Sequence, residues 1–290
     1  MVRRASLLPS LPWSLVVAVA MASAGCHWST PAERAAAPIA ARNAEARGGL
    51  KAWRAVQSLT LSGKLEAGRP RNPVKLAMAY LKPQRTTRAH AAGGPPVVGA
   101  DVAAEEPVRL PFVLEMARPR KSRLEIRFQG KTAVQVFDGT RGWKVRPFLG
   151  RHEVEPFTPE ELREASMQTE LDGPLIDYAA KGSHVELEGT EPVEGRDAYR
   201  LKVTLDDGQV RHVWVDAKTW LDVKIDGSRR MDGKPRPVWT YLRDYRPVDG
   251  LMIPHVLETT VEGVKGSEKI LVEKVAVNPP LADSRFARPE

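Results

Sequence analysis

The residues with chemistry to offer are few and scattered. Cys26 is the only thiol among 290 residues, so no internal disulfide forms and the fold must stand on its core alone. The six histidines, His27, His90, His152, His184, His212 and His255, never recur at a spacing that sets two imidazoles around a zinc ion. No Gly-x-Ser-x-Gly elbow is present, and Ala91–Gly99 lacks the Lys-Ser/Thr pair of a phosphate loop. The paired acids Glu105-Glu106, Glu160-Glu161 and Asp206-Asp207 fall in predicted loops, caps and turns, where solvation accounts for them. This inventory points to a protein that binds rather than an enzyme, with no metal and no cofactor.

Two basic clusters stand out. Arg118, Arg120, Lys121 and Arg123 surround Pro119, and Arg229, Arg230, Lys234 and Arg236 flank Asp232-Gly233. They read either as charge that keeps sheet edges from pairing or as contacts for an anionic partner. The formal charge is +8, to which Arg3 and Arg4 contribute two, while 28% charged residues is ordinary. A membrane surface suits such a balance better than nucleic acid in a secreted chain. On the apolar side, Met78, Met116, Trp143, Trp214, Trp239 and Met252 fall in predicted strands. Such side chains form either a packed core or the walls of a cavity for an alkyl chain.

Short strands must position all of these. The period is two over Leu59–Lys64, Val74–Leu81, Phe112–Ala117, Arg123–Phe128, Thr132–Phe137 and Gly142–Arg146. It returns over His184–Leu187, Ala198–Leu205, Val210–Asp216, Leu221–Asp226, Val238–Tyr245, Met252–Val261 and Lys269–Val277. Turn pairs such as Asp138-Gly139, Glu194-Gly195, Asp207-Gly208, Asp232-Gly233 and Asp249-Gly250 separate many of these runs and predict an antiparallel meander.

Helical patterns precede and interrupt the strands. Ile39–Val56 predicts two short helices, because Gly48-Gly49 breaks the run. Thr158–Gly182 predicts a helical pair, with Thr158 and Glu161 as a capping box, Pro159 in the first turn and a restart at Gly173-Pro174. Residues 27–38 have no periodicity and read as a tether. Pro83–Pro111 reads as a mobile insertion.

The N-terminus has the order of a secretory signal over residues 1–25: Arg3-Arg4, an apolar stretch from Leu7 to Ala22, then Ser23-Ala24-Gly25. The stretch is short for a membrane span. A cysteine directly after Ala-Gly resembles the lipobox of bacterial lipoproteins, with Ser23 standing where that motif usually has Leu. The resemblance implies lipid attachment at Cys26, a tether over 26–38 and a domain over 39–290. The alternative is a cleaved signal and a free thiol.

The domain itself resembles the LolA/LolB-type lipoprotein-sorting family. The resemblance rests on Glu45-Ala-Arg-Gly-Gly-Leu50 with Trp53-Arg-Ala-Val56, Ser62-Gly-Lys64, Phe137-Asp-Gly with Gly142-Trp143, and Leu171-Asp-Gly-Pro-Leu175 with Asp177-Tyr178. It extends over Tyr241 to Tyr245, Gly250-Leu-Met-Ile-Pro254 and Asn278-Pro-Pro-Leu-Ala-Asp-Ser-Arg-Phe286. It implies a mainly β fold: an unclosed half-barrel of one long antiparallel sheet, covered by short helices, with an apolar cavity for acyl chains.

In that picture Thr158–Gly182 is a mobile lid whose Leu162, Leu171, Leu175 and Tyr178 face the cavity. Met78, Met116, Trp143, Trp214 and Trp239 are its wall candidates. The implied partners are acyl chains or lipoproteins, at an envelope site facing the periplasm, with the outer membrane favoured because His27 follows the cysteine. A sensor or scaffold that uses the same fold to bind a protein is the other reading.

Overall fold

The computed structural model describes residues 29–67, 108–147, 150–168, 170–231 and 234–290. Cys26, the signal, the run Val74–Leu81 with Met78, residues 83–107 and the Asp232-Gly233 turn lie outside the described residues.

Two helices come first, α1 (Pro31–Ala46) and α2 (Leu50–Ala55). The break at Gly48-Gly49 is where the sequence predicts it, but α1 begins eight residues before Ile39. The tether reading of 31–38 is therefore replaced by helix. Thr30 is its cap, accepting from the Glu33 N–H at 3.1 Å while Glu33 accepts the Thr30 N–H at 2.7 Å. Ala36, Ile39, Ala40, Asn43 and Ala44 form its buried stripe.

The strands follow as β1 (Ser58–Ala67), β2 (Val108–Ala117), β3 (Lys121–Phe128), β4 (Lys131–Phe137), β5 (Gly142–Arg146) and β6 (Arg151–Pro156). After α3 (Pro159–Gln168) come β7 (His184–Val193), β8 (Arg196–Thr204), β9 (Val210–Asp216), β10 (Asp222–Met231), β11 (Lys234–Val248), β12 (Leu251–Val261) and β13 (Glu268–Val277). They form one antiparallel sheet in the order β6-β5-β4-β3-β2-β1-β13-β12-β11-β10-β9-β8-β7, not closed into a barrel. Two hairpin meanders thus meet where β1 pairs β13, and the free edges are β6 and β7. Glu194-Gly195 and Asp249-Gly250 make their turns with positive φ at both residues, as two-residue hairpins require.

Residues 108–111 belong to β2, with Leu110 only 1% exposed, so the insertion read over 83–111 ends before Val108. At the β1–β13 bulge a Cβ on Gly63 would lie 1.9 Å from the Leu271 carbonyl oxygen. Only glycine permits that approach.

Because β6 and β7 are opposite edges, residues 157–183 have to cross the sheet. They cross the face that also carries α1 and α2, here called the inner face. The Thr158 capping box forms as predicted: the Thr158 N–H donates to Glu161 at 2.7 Å and the Glu161 N–H to Thr158 at 3.2 Å. The predicted second helix does not form. Residues 171–182 run as bends and turns, with Asp177 and Gly182 at positive φ, which ends any helical repeat.

Candidate functional site

Strand alternation and register assign every side chain to a face. On the inner face two cores are covered by helix and crossing segment. Ala36, Ile39 and Leu175 pack on Val185, Leu201, Val203, Val213 and Val215, with Tyr178 against them. Ala44, Trp53, Val56, Leu171 and Ile176 pack on Leu59, Met116, Leu251 and Ile253.

Buried polar contacts pin this cover down. Arg47 donates to the Asp172 carbonyl at 2.9 Å and to Asp222 at 3.2 Å, while Asn43 donates to Asp222 at 2.9 Å. Arg118 and Lys181 hold the Asp172 carboxylate at 2.7 and 2.6 Å. Arg54 grips Asp177 through two bonds of 2.7 Å. Burial pushes the Asp222 carboxyl up, and the Arg47 charge and the Asn43 amide oppose that push.

The third inner cluster has a different exposure. Leu65, Leu110, Phe112, Ile126, Ala133 and Val272 are buried, while Leu61, Leu114, Leu124, Phe128, Leu257, Ile270 and Val275 around them are only partly so. Register aligns these residues across strands. Val275, Leu61, Leu114 and Leu124 form one row, and Val272, Gly63, Phe112 and Ile126 with Ala133 form the next. From β13 to β4 is four strand spacings, about 19 Å. One leaflet of a bilayer core is about 15 Å deep, so an acyl chain is commensurate with a row.

The residues singled out from the sequence divide among these places. Cys26 and Met78 are outside the described residues. Met116, Leu171 and Leu175 are packed core, and Tyr178 is half-buried beside Leu175. Leu162 is half-buried on α3. A mobile helical lid over 158–182 does not fit a segment whose Leu171, Leu175 and Ile176 are buried and whose Asp172 and Asp177 carboxylates are held by Arg118, Lys181 and Arg54.

The three tryptophans point the other way. Val213 and Val215 are inner, so Trp214 between them is outer, packed with Val193, Ala198 and Val223 under Lys224 at 4.0 Å. Trp239 pairs Asp226, next to inner Ile225, and is outer. Trp143 precedes Lys144, which faces α3, and is outer too, beneath Arg141 at 5.4 Å. None of the three lines the inner trough.

The outer face carries paired charge. His212 Nδ1 lies 2.6 Å from Asp226 and its Nε2 3.4 Å from Glu188. Two shallow cavities open there, about 240 Å³ beside Lys224, Tyr241 and Arg243, and about 470 Å³ beside Trp143 and Phe286. Of the basic clusters, Arg118 binds Asp172, Lys121 binds Asp283, Arg123 binds Glu125 and Arg229 binds Glu268. Those cations are committed to internal pairs, and the β2–β3 and β10–β11 hairpins that carry them lie within the sheet and not at its edges. Among the described residues no group of three or more His, Cys, Asp or Glu side chains is placed to hold a metal, and no helix is long and apolar enough to cross a membrane.

The fold recurs in solved structures. A LolA superfamily protein from Nitrosomonas europaea is 14% identical over 87% of this chain and 97% of its own, with a TM-score of 0.51. The chain has the LolA-type fold. A DUF1329 family protein from Desulfovibrio piger matches this LolA-like half-barrel at 13% identity over 89% and 98% of the two chains, TM-score 0.53. A putative outer membrane lipoprotein-sorting protein domain from Vibrio parahaemolyticus matches at 10% over 88% and 97%, TM-score 0.51. No protein-family model and no curated protein matches the sequence.

Sequence reasoning missed the inner rows as a site. Leu61, Leu114 and Leu124 are unremarkable apolar residues in alternating strands, and only register shows that they adjoin. Large side chains drew attention to Trp143, Trp214 and Trp239 instead.

Proposed function

We propose that this chain is a lipid-binding protein of the bacterial envelope, tethered through Cys26, that holds acyl chains or lipoproteins along the inner face of its half-barrel. Its role is lipoprotein sorting or lipid transfer at the outer membrane, by binding and not by catalysis. The observation that carries this reading is the apolar row of Val275, Leu61, Leu114 and Leu124, left partly exposed on the inner face beside the buried row of Phe112, Ile126 and Ala133. Each CH₂ removed from water there contributes about 0.8 kcal/mol, so one long chain is held without a hydrogen-bonding pattern. The description of the Vibrio domain as a putative outer membrane lipoprotein-sorting protein supports the class of ligand and the envelope address.

Native mass spectrometry of the full chain, released from membranes in mild detergent, tests the reading. Co-purifying acylated species are expected, together with an acyl adduct on the peptide that contains Cys26. A Cys26→Ala variant should lose that adduct and leave the membrane fraction. A ligand-free mass with no uptake of added fatty acid would favour the protein-binding scaffold.

A further inference from the structure

The apolar rows end in charge. Continuing the first row beyond Leu124, register places Gln135 on β4, Lys144 on β5 and Glu155 on β6. In the second row Ala133 on β4 is followed on β5 by Arg146, since Val134 pairs Val145. Lys144 and Arg146 are 4% and 6% exposed, so two cations are buried on the inner face of an edge hairpin, at the foot of α3.

Buried cations are costly unless fully paired and hydrogen-bonded. These two are paired sparingly. Lys144 bonds Glu161, whose other oxygen already accepts the Thr158 N–H in the helix cap. Arg146 bonds Glu155, which it shares with the exposed Arg151 at 3.5 Å. Among the described residues the buried Arg146 Nε has no hydrogen-bond partner. A fold that needed only stability would fill this position with apolar side chains, as it does at Phe112, Ile126 and Ala133 in the second row.

We infer that Lys144 and Arg146 bind the anionic head group, carboxylate or phosphate, of an acyl ligand whose chain lies along the partly exposed first row from Leu124 toward Val275 on β13. This rests on the lipid-binding reading and adds the head-group charge to it. The planar guanidinium offers an anion its free Nε–H, and the lysine adds a point charge beside it. The chain and the head group then meet matching surfaces at the β4–β5 boundary, which fixes the direction in which the ligand lies.

The test uses the full chain in phosphatidylcholine nanodiscs with photoactivatable probes. Diazirine palmitate is compared with diazirine hexadecanol, and diazirine phosphatidic acid with the matching diacylglycerol. Crosslinks are mapped to the peptides holding Leu61, Phe112 and Leu124. The charged member of a pair is expected to label at least tenfold more, and which pair separates tells carboxylate from phosphate. Arg146→Gln should bring the charged probe down to its neutral partner, and Arg146→Lys should restore part of the difference.

Equal labelling by charged and neutral probes in the unmodified chain would overturn the head-group inference while leaving lipid binding in place. No labelling by any probe would overturn both. The charged-to-neutral ratio in the unmodified chain decides even where Arg146→Gln fails to fold.

Discussion

The Arg47 guanidinium lies 3.2 Å from the Asp222 carboxylate, and both side chains are buried. The pair joins the end of α1 to the start of β10. The Arg47 carbonyl adds bonds from the Trp53 indole at 3.0 Å and the Met252 N–H at 3.1 Å. Within the Glu45–Leu50 motif, Arg47 is therefore a fastener of the helical cover.

Removing one partner of such a pair leaves the other buried and uncompensated. Arg47→Met is expected to cost about 3–5 kcal/mol at neutral pH. Without the cation, burial of Asp222 is opposed by the Asn43 hydrogen bond only, and its folded-state pKa, already above its ordinary 3.8, rises further. The folded state thus binds the proton more tightly than the unfolded, so stability falls as pH rises through that window. Urea unfolding of the variant should show the deficit shrinking as pH is lowered from about 7 to about 5; a pH-independent deficit would sink the argument.

Arg54 and Asp177 tie α2 to the crossing segment on the exposed side. The Arg54 hydrogen bonds hold the Asp177 carboxyl below its ordinary 3.8. The sign is opposite to that of Asp222. The unfolded chain binds more protons, so the contribution is present above 3.8 and is lost as pH falls toward the depressed folded value. The melting temperature of the unmodified protein should drop more steeply between about pH 5 and pH 3 than that of Asp177→Asn. Parallel curves would show that the pair adds nothing.

Gly48 and Gly49 separate two costs of an added Cβ. At Gly49, φ is +90° and nothing lies within 4 Å; at Gly48, φ is +113° and the Gly250 carbonyl oxygen would be 2.4 Å away. Gly49→Ala is expected to lose about 1–3 kcal/mol from backbone strain. Gly48→Ala should lose clearly more, because the β11–β12 turn has to move. Equal midpoints in urea would mean that the close approach is immaterial.

The two faces of the sheet make opposite predictions for ligand. Leu124→Glu places a charge in the middle of the first apolar row and should lower uptake of a fluorescent fatty acid at least tenfold. Trp239→Ala, on the outer face, should leave uptake within about twofold. The reverse result would return the ligand to the face the tryptophans occupy.

Much of this architecture was legible in the chain. Gly142–Arg146 and Val210–Asp216 are strands with the bounds that alternation predicts, and Glu194-Gly195 and Asp249-Gly250 make the turns their φ requirement dictates. Strand β6 was not legible: Arg151–Pro156 has Val154 as its one large aliphatic residue and is held as an edge by pairing with β5. The start of α1 was legible and passed over. Thr30, Pro31 and Glu33 repeat the cap signature of Thr158, Pro159 and Glu161, but an Ala-rich run without bulky residues shows little periodicity.

The sequence by itself determined the strands, their turns, the helix caps and the alternation that splits each strand into two faces, because these follow from local backbone sterics and hydrogen bonding over a few residues. Only the tertiary structure decided which face became the interior. Val213-Trp214-Val215 presents apolar side chains both ways, and the helices settle on the face where Ile39, Leu171 and Leu175 find partners. Burial then follows from that choice: the tryptophans go out, Leu61, Leu114 and Leu124 line up within, and Lys144 and Arg146 end the rows. Such neighbours come from four strands, β1, β2, β3 and β5, and from positions as far apart as Leu61 and Arg146, and only sheet register brings them side by side.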